Sequence, residues 1–92
     1  MNLKNLRDEI KKRYYDVDRK SGELFLLAVL FEEVGELAEA VRKGVKSDVE
    51  EELADVFFMV LSLANLFDVD PERILVKKYL REDPSDRWDL PE

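Results

Sequence analysis

Apolar residues recur along this chain at intervals of three and four, and alternation with a period of two never persists, so the pattern predicts helices and no strands. Leu3, Leu6, Ile10, Tyr14 and Val17 mark a first helix over about 3–17, and residues 18–22 read as a turn with Ser21 free to cap the next segment. A second helix over about 23–43 has Arg42 and Lys43 in its last turn and Gly44 just beyond, which suits both the helix dipole and a left-handed cap. Ser47 followed by Glu50 forms a capping-box pattern and predicts a third helix from about 48 to 67 with an acid-rich first turn. Asp70 as N-cap, with Pro71 at the first helical position, starts a fourth that runs to about 82. Asp83-Pro84-Ser85 stops it, and 83–92, which contains the single Trp88, reads as an irregular tail. The prediction is an all-α, four-helix domain spanning 1–92.

Within this pattern the acids divide. Advancing ~100° per residue from Glu33 sets Leu26, Leu30, Val34 and Leu37 on one side of it and Val29 and Ala40 on the other, so Glu33 lies inside the apolar arc. Glu36 falls at the edge of that arc, whereas Glu32 and Glu39 land with Arg42 and Lys43 on the polar side. The third helix repeats the arrangement: Glu52 sits among Val56, Met59, Leu63 and Leu66, and Asp55 lies one step round beside Ser62. An acid on an apolar arc is ordinarily a boundary residue that reaches outward or pairs with Lys or Arg. Two such pairs, each spaced by three residues on consecutive helices, instead form two matched pincers that can converge on a common point.

Converging carboxylates in a partly desolvated place require a cation. The chain has no His and no Cys, which removes thiolate ligation, disulfides and the usual general base. All-oxygen ligation selects hard ions, Mg²⁺ or Mn²⁺, over zinc or copper, and Mg²⁺ bound this way tends to complete its shell with substrate phosphates. The formal net charge of −7 argues against nucleic acid and against anionic lipid as partners, yet an acidic protein can still hold a polyphosphate through such a metal. The longest wholly apolar run, Leu24 to Phe31, is too short to span a bilayer, and an N-terminus charged from Lys4 is no signal peptide, so a cytoplasmic protein is expected. With 46% hydrophobic and 40% charged residues the chain reads as globular, but at this length the core of a monomer is small.

Glu32-Glu33-Val34-Gly35-Glu36, followed by Glu52-Leu53-Ala54-Asp55, resembles the EExxE and ExxD motifs of the MazG-like all-α nucleoside triphosphate pyrophosphohydrolases, with similarity over roughly residues 20 to 84. The resemblance implies Mg²⁺-dependent cleavage of a nucleoside triphosphate between the α and β phosphates, giving the monophosphate and pyrophosphate. It also implies a bundle unit completed by homodimerisation, often as a dimer of dimers. Carried over by position, Glu33, Glu36, Glu52 and Asp55 match the metal-binding acids, while Glu32 fills the first motif position. Lys78 and Arg81, ahead of Pro84, match basic residues that hold substrate phosphate oxygens. A departure stands at Glu50-Glu51, where some members carry a basic residue, and no phosphate contact is assigned there.

Without His, the base that activates water must be a Glu, an Asp or hydroxide on the metal, and Glu33 is the catalytic candidate because an apolar setting raises its proton affinity. Trp88, Tyr14 and Tyr15 are candidates to stack on a nucleobase. Gly35, mid-helix at about 1 kcal/mol relative to Ala, suggests close helix approach or room beside the metal. The third helix, apolar on nearly every side from Leu53 to Phe67, exceeds what short neighbours can cover and favours burial in a dimer. Two other functions compete: a non-catalytic helical oligomerisation or regulatory module, and a di-iron carboxylate bundle, which the absence of His disfavours.

Overall fold

In the computed structural model, which describes residues 1–81, four α-helices follow one another: α1 (Leu3–Ser21), α2 (Glu23–Lys43), α3 (Lys46–Leu66) and α4 (Pro71–Tyr79). No strand occurs among the described residues. The helices stand in the expected order, and the junctions between them hold the differences.

The first turn is shorter than the sequence pattern predicts, because α1 continues through residues 18–21. Asp18 is half-buried next to Ser62 of α3 rather than lying in a solvent turn; burial raises its pKa and the Ser62 hydroxyl pulls it back. Ser21 donates its hydroxyl to the Val17 carbonyl at 3.0 Å and so does not cap α2. The whole reversal falls on Gly22, whose φ of 90° is open to glycine and strained for other residues.

Gly44 ends α2 in the left-handed conformation, as its position suggests, and its N–H donates to the Ala40 and Val41 carbonyls. The capping box does not form. Val45 is already the N-cap of α3, its carbonyl accepting from the Asp48 and Val49 N–H groups at 3.1 Å each, which places Ser47 inside the first turn. The helix ends at Leu66, and Asp68 takes the left-handed position of the following turn with φ 52°. Asp tolerates that conformation better than most residues. At α4 the pattern holds: the Asp70 side chain accepts from the Arg73 N–H at 3.1 Å, and Pro71 follows. This helix stops at Tyr79, short of the expected 82. It packs only sparsely on the others, and a helix of nine residues has little stability without such packing. The expected stop at Pro84 and the tail 83–92 with Trp88 lie outside the described residues.

The core forms where α3 packs against α2 along one side and α1 along another. Leu26 and Ala40 of α2 and Met59, Leu61 and Ala64 of α3 are buried, Leu61 to 1% exposure. Each large apolar side chain so buried contributes about 1.5–3 kcal/mol. Tyr14 of α1 meets Phe58 edge to face at 4.9 Å. Two polar side chains fix the helix ends: Asn65 donates its amide to the Arg7 carbonyl at 3.1 Å, and the Arg7 guanidinium donates to the Val69 carbonyl at 2.9 Å, with Asp70 3.6 Å away.

The described helices leave large apolar side chains uncovered. Its Cα radius of gyration is 15.3 Å, against about 12 Å for a compact chain of this size. On α2, Leu24, Leu27, Phe31, Val34 and Val41 follow a helical stripe that faces solvent, and on α3 Leu53, Phe57 and Val60 do the same, Phe31 at 67% and Phe57 at 46% exposure. Among the described residues no helix is long and apolar enough to cross a membrane.

Candidate active site

The buried face of α2 runs through Leu26, Leu30, Leu37 and Ala40, and Glu33 lies within it, half-buried; Val34, at the edge of the arc on the wheel, is exposed. On α3, Glu52 is half-buried in line with Val56, Met59 and Leu63. Because α2 and α3 pack along their lengths, the two embedded acids meet. One carboxylate oxygen from each of Glu33, Glu36 and Glu52 lies within 4.8 Å of the other two. Asp55 stays outside that trio, being one methylene shorter and on the exposed side of α3, although its charge acts on both Glu33 and Glu52. Glu32 is exposed.

The Oε2 atoms of Glu33 and Glu52 are buried and accept no hydrogen bond. A buried carboxylate oxygen without a donor is unfavourable, and the protonation equilibria register it. Glu33 is pushed up to about 7, first by loss of water and then by the charges of Glu36, Asp55 and Glu52. Glu52 is raised for the same reasons, burial first and then Glu36 and Asp55. A hard divalent cation satisfies both demands at once. It supplies charge to the cluster and fills the coordination of the orphaned oxygens, so this donor set, with neither nitrogen nor sulfur, fits Mg²⁺ or Mn²⁺ rather than a softer ion.

In the last turns of α2, Glu39 accepts from Arg42 at 2.9 Å and lies 3.4 Å from the Lys43 ammonium, contacts that lower its pKa. It is a solvated ion pair, as the wheel requires. What the wheel hides is the direction of Lys43. A cleft of about 230 Å³ between the end of α2 and the start of α3 is lined by Glu36, Glu39, Ala40, Lys43, Asp48, Glu51 and Glu52, so Lys43 opens onto the same space as two acids of the trio. Its spacing of seven residues from Glu36 could have flagged it, since that is two turns along one face.

Lys78 and Arg81 are not brought to this place within one chain. Neither lines the acid-rich cleft, and Arg81 lines a different one with Asp70, Glu72, Arg73, Val76 and Lys77. The cause is the sparse packing of α4. Tyr14 is committed to Phe58, and Tyr15 lies under the Lys11 ammonium, 5.4 Å from its ring centre. A Cβ at Gly35 would meet nothing within 4 Å, so close approach inside the chain does not explain that glycine. A cleft of about 630 Å³ along α1 contains none of the clustered acids.

Comparison of the chain with curated proteins returns no match. Residues 21–85 match the family model described as the MazG nucleotide pyrophosphohydrolase domain, a span that takes in both carboxylate pairs and the cleft between them. With the acids of α2 and α3 converging as they do, and most of the chain covered by the match, this protein belongs to the MazG nucleotide pyrophosphohydrolase domain family.

Proposed function

We propose that the protein is a Mg²⁺-dependent nucleoside triphosphate pyrophosphohydrolase that cleaves between the α and β phosphates, acting in the cytoplasm on the nucleotide pool. The observation that carries this reading is the trio of carboxylate oxygens from two helices within 4.8 Å, two of its members with an orphaned buried oxygen. Glu33, Glu36 and Glu52, with Asp55 beside them, are the residues that would hold the ion, Mg²⁺ with Mn²⁺ as substitute. When bound, the ion supplies the positive charge that offsets both the carboxylates and the substrate phosphates.

The remaining chemistry falls to the chain. Glu33 accepts the proton of the attacking water as its oxygen bonds to the α phosphorus, while the bridging oxygen departs with pyrophosphate. Its setting among apolar neighbours raises the proton affinity of the Glu33 carboxylate, which favours that transfer. Glu36, Glu52 and Asp55 orient the reacting groups. Lys78 and Arg81 contact phosphate oxygens only in the assembled protein, since within one chain they stand apart from the cleft.

Assembly is part of the proposal: a homodimer, or a dimer of dimers, in which a second copy covers the exposed apolar stripes of α2 and α3. Those same stripes favour the second reading, a non-catalytic oligomerisation module. A pyrophosphate-release panel across canonical, deoxy and damaged nucleoside triphosphates, run with Mg²⁺, Mn²⁺ and chelator, separates the two. Metal-dependent release from any member supports the enzyme; no release from the whole panel, with assembly intact, supports the module.

A further inference from the structure

We infer that Lys43 is a phosphate ligand of the acid-rich cleft: its ammonium leaves Glu39 to bind the pyrophosphate end of the substrate. This rests on the function proposed above and adds a residue to it.

Three observations lead there. First, the cleft at the end of α2 and the start of α3 is lined by five carboxylates, Glu36, Glu39, Asp48, Glu51 and Glu52, and by one cation, Lys43. These carboxylate walls repel an entering polyphosphate, and Lys43 is the one group of the lining that attracts it. Second, Lys43 is held loosely. Its Nζ is 3.4 Å from Glu39 Oε1, while Arg42 donates to the same oxygen at 2.9 Å. Glu39 therefore keeps its better partner when Lys43 leaves, and no acid is stranded by the exchange. Third, the lysine side chain is 58% exposed, on a flexible four-carbon stem rooted one residue before Gly44, where nothing pins it to the core.

The arrangement also explains why two cations share one glutamate. Arg42 alone would neutralise Glu39; Lys43 is the surplus charge, parked at the mouth of the cleft until an anion arrives.

Isothermal titration calorimetry with Mg²⁺ alone, and with pyrophosphate in saturating Mg²⁺, tests this on the full chain. Lys43→Gln should bind Mg²⁺ as tightly as the wild type or more tightly, yet lose tenfold or more in pyrophosphate affinity. Its KM for nucleoside triphosphate should rise accordingly, and Lys43→Arg should recover most of the loss. Arg42→Gln removes the same charge one residue away and should leave pyrophosphate affinity within about twofold, because Arg42 does not line the cleft. Thermal melts of each variant check that the fold is intact. If Lys43→Gln and Arg42→Gln weaken pyrophosphate equally, or if Lys43→Gln matches the wild type, the role of Lys43 is overturned while the parent function stands. If the wild type binds neither Mg²⁺ nor pyrophosphate, the parent function itself fails.

Discussion

Glu33 of α2 and Glu52 of α3 face each other across the helix seam, with carboxylate oxygens within 4.8 Å and each with its Oε2 buried and unbonded. Two like charges at that distance repel, so the pair is a source of strain in the metal-free chain and a source of affinity once a cation is present.

Removing one charge from the cluster should therefore separate catalysis from folding. Glu36→Gln and Asp55→Asn are expected to abolish pyrophosphate release while the metal-free protein melts at the same temperature or slightly higher. Glu50→Gln, an exposed acid of α3 outside the cleft, serves as the control and should keep full turnover. Full activity in Glu36→Gln would remove the carboxylate trio from the mechanism.

Metal should stabilise the fold. An ion that binds only the native state contributes about 2.7 kcal/mol at a hundred times its dissociation constant. For a domain of this length that is a rise of roughly 10 °C or more in Tm. Differential scanning fluorimetry with millimolar Mg²⁺ or Mn²⁺, then with chelator, reads it directly; an unchanged midpoint means that the carboxylates hold no ion.

The metal-free protein should also lose stability as pH rises from about 4.5 to about 7. Glu33 binds its proton more tightly in the folded state, near 7, than in the unfolded chain, near 4.5, so in that window the native state holds the extra proton. Stability from this group is complete at the acid end and gone once pH passes the folded value. Glu52 is shifted in the same direction and adds to the slope. Glu33→Gln should flatten the Tm profile between those limits, and an equally steep profile in that variant would assign the slope to other groups.

Breaking the apolar stripe of α3 should disassemble the protein. Phe57→Glu places a charge where the chain exposes hydrocarbon, and sedimentation velocity at micromolar concentration is expected to show a slower, less stable species than the wild type. A wild type that sediments as a well-folded monomer contradicts the assembly.

Asn65→Ala deletes the amide that ties α3 to the Arg7 carbonyl, and Asn65 is 7% exposed. Loss of about 1–2 kcal/mol in urea unfolding is expected, with the m-value unchanged. Activity should fall less than stability, since Asn65 lies outside the acid cluster.

How much of this could be read from the chain is clearest at individual residues. The bounds of α2, the left-handed Gly44 and the Asp70–Pro71 start of α4 depend on local rules, namely cap chemistry and the conformational range of glycine and proline, and those rules act wherever the residues occur. The placing of Glu33 and Glu52 on apolar arcs is likewise a matter of period alone. The length of α1 and the start of α3 were not legible, because other contacts decided them: Asp18 meets Ser62 on another helix, and the Val45 carbonyl already accepts from the Asp48 and Val49 N–H groups, which puts Ser47 inside the helix rather than at its cap. Spacing within each helix set which acids were candidates and put Lys43 two turns from Glu36, but the packing of α2 on α3 left Asp55 outside the trio and formed the cleft, and the sparse packing of α4 kept Lys78 and Arg81 out of its lining. A helical wheel carries angles and no distances, and which neighbour fills each angle is fixed by contacts between residues far apart in sequence.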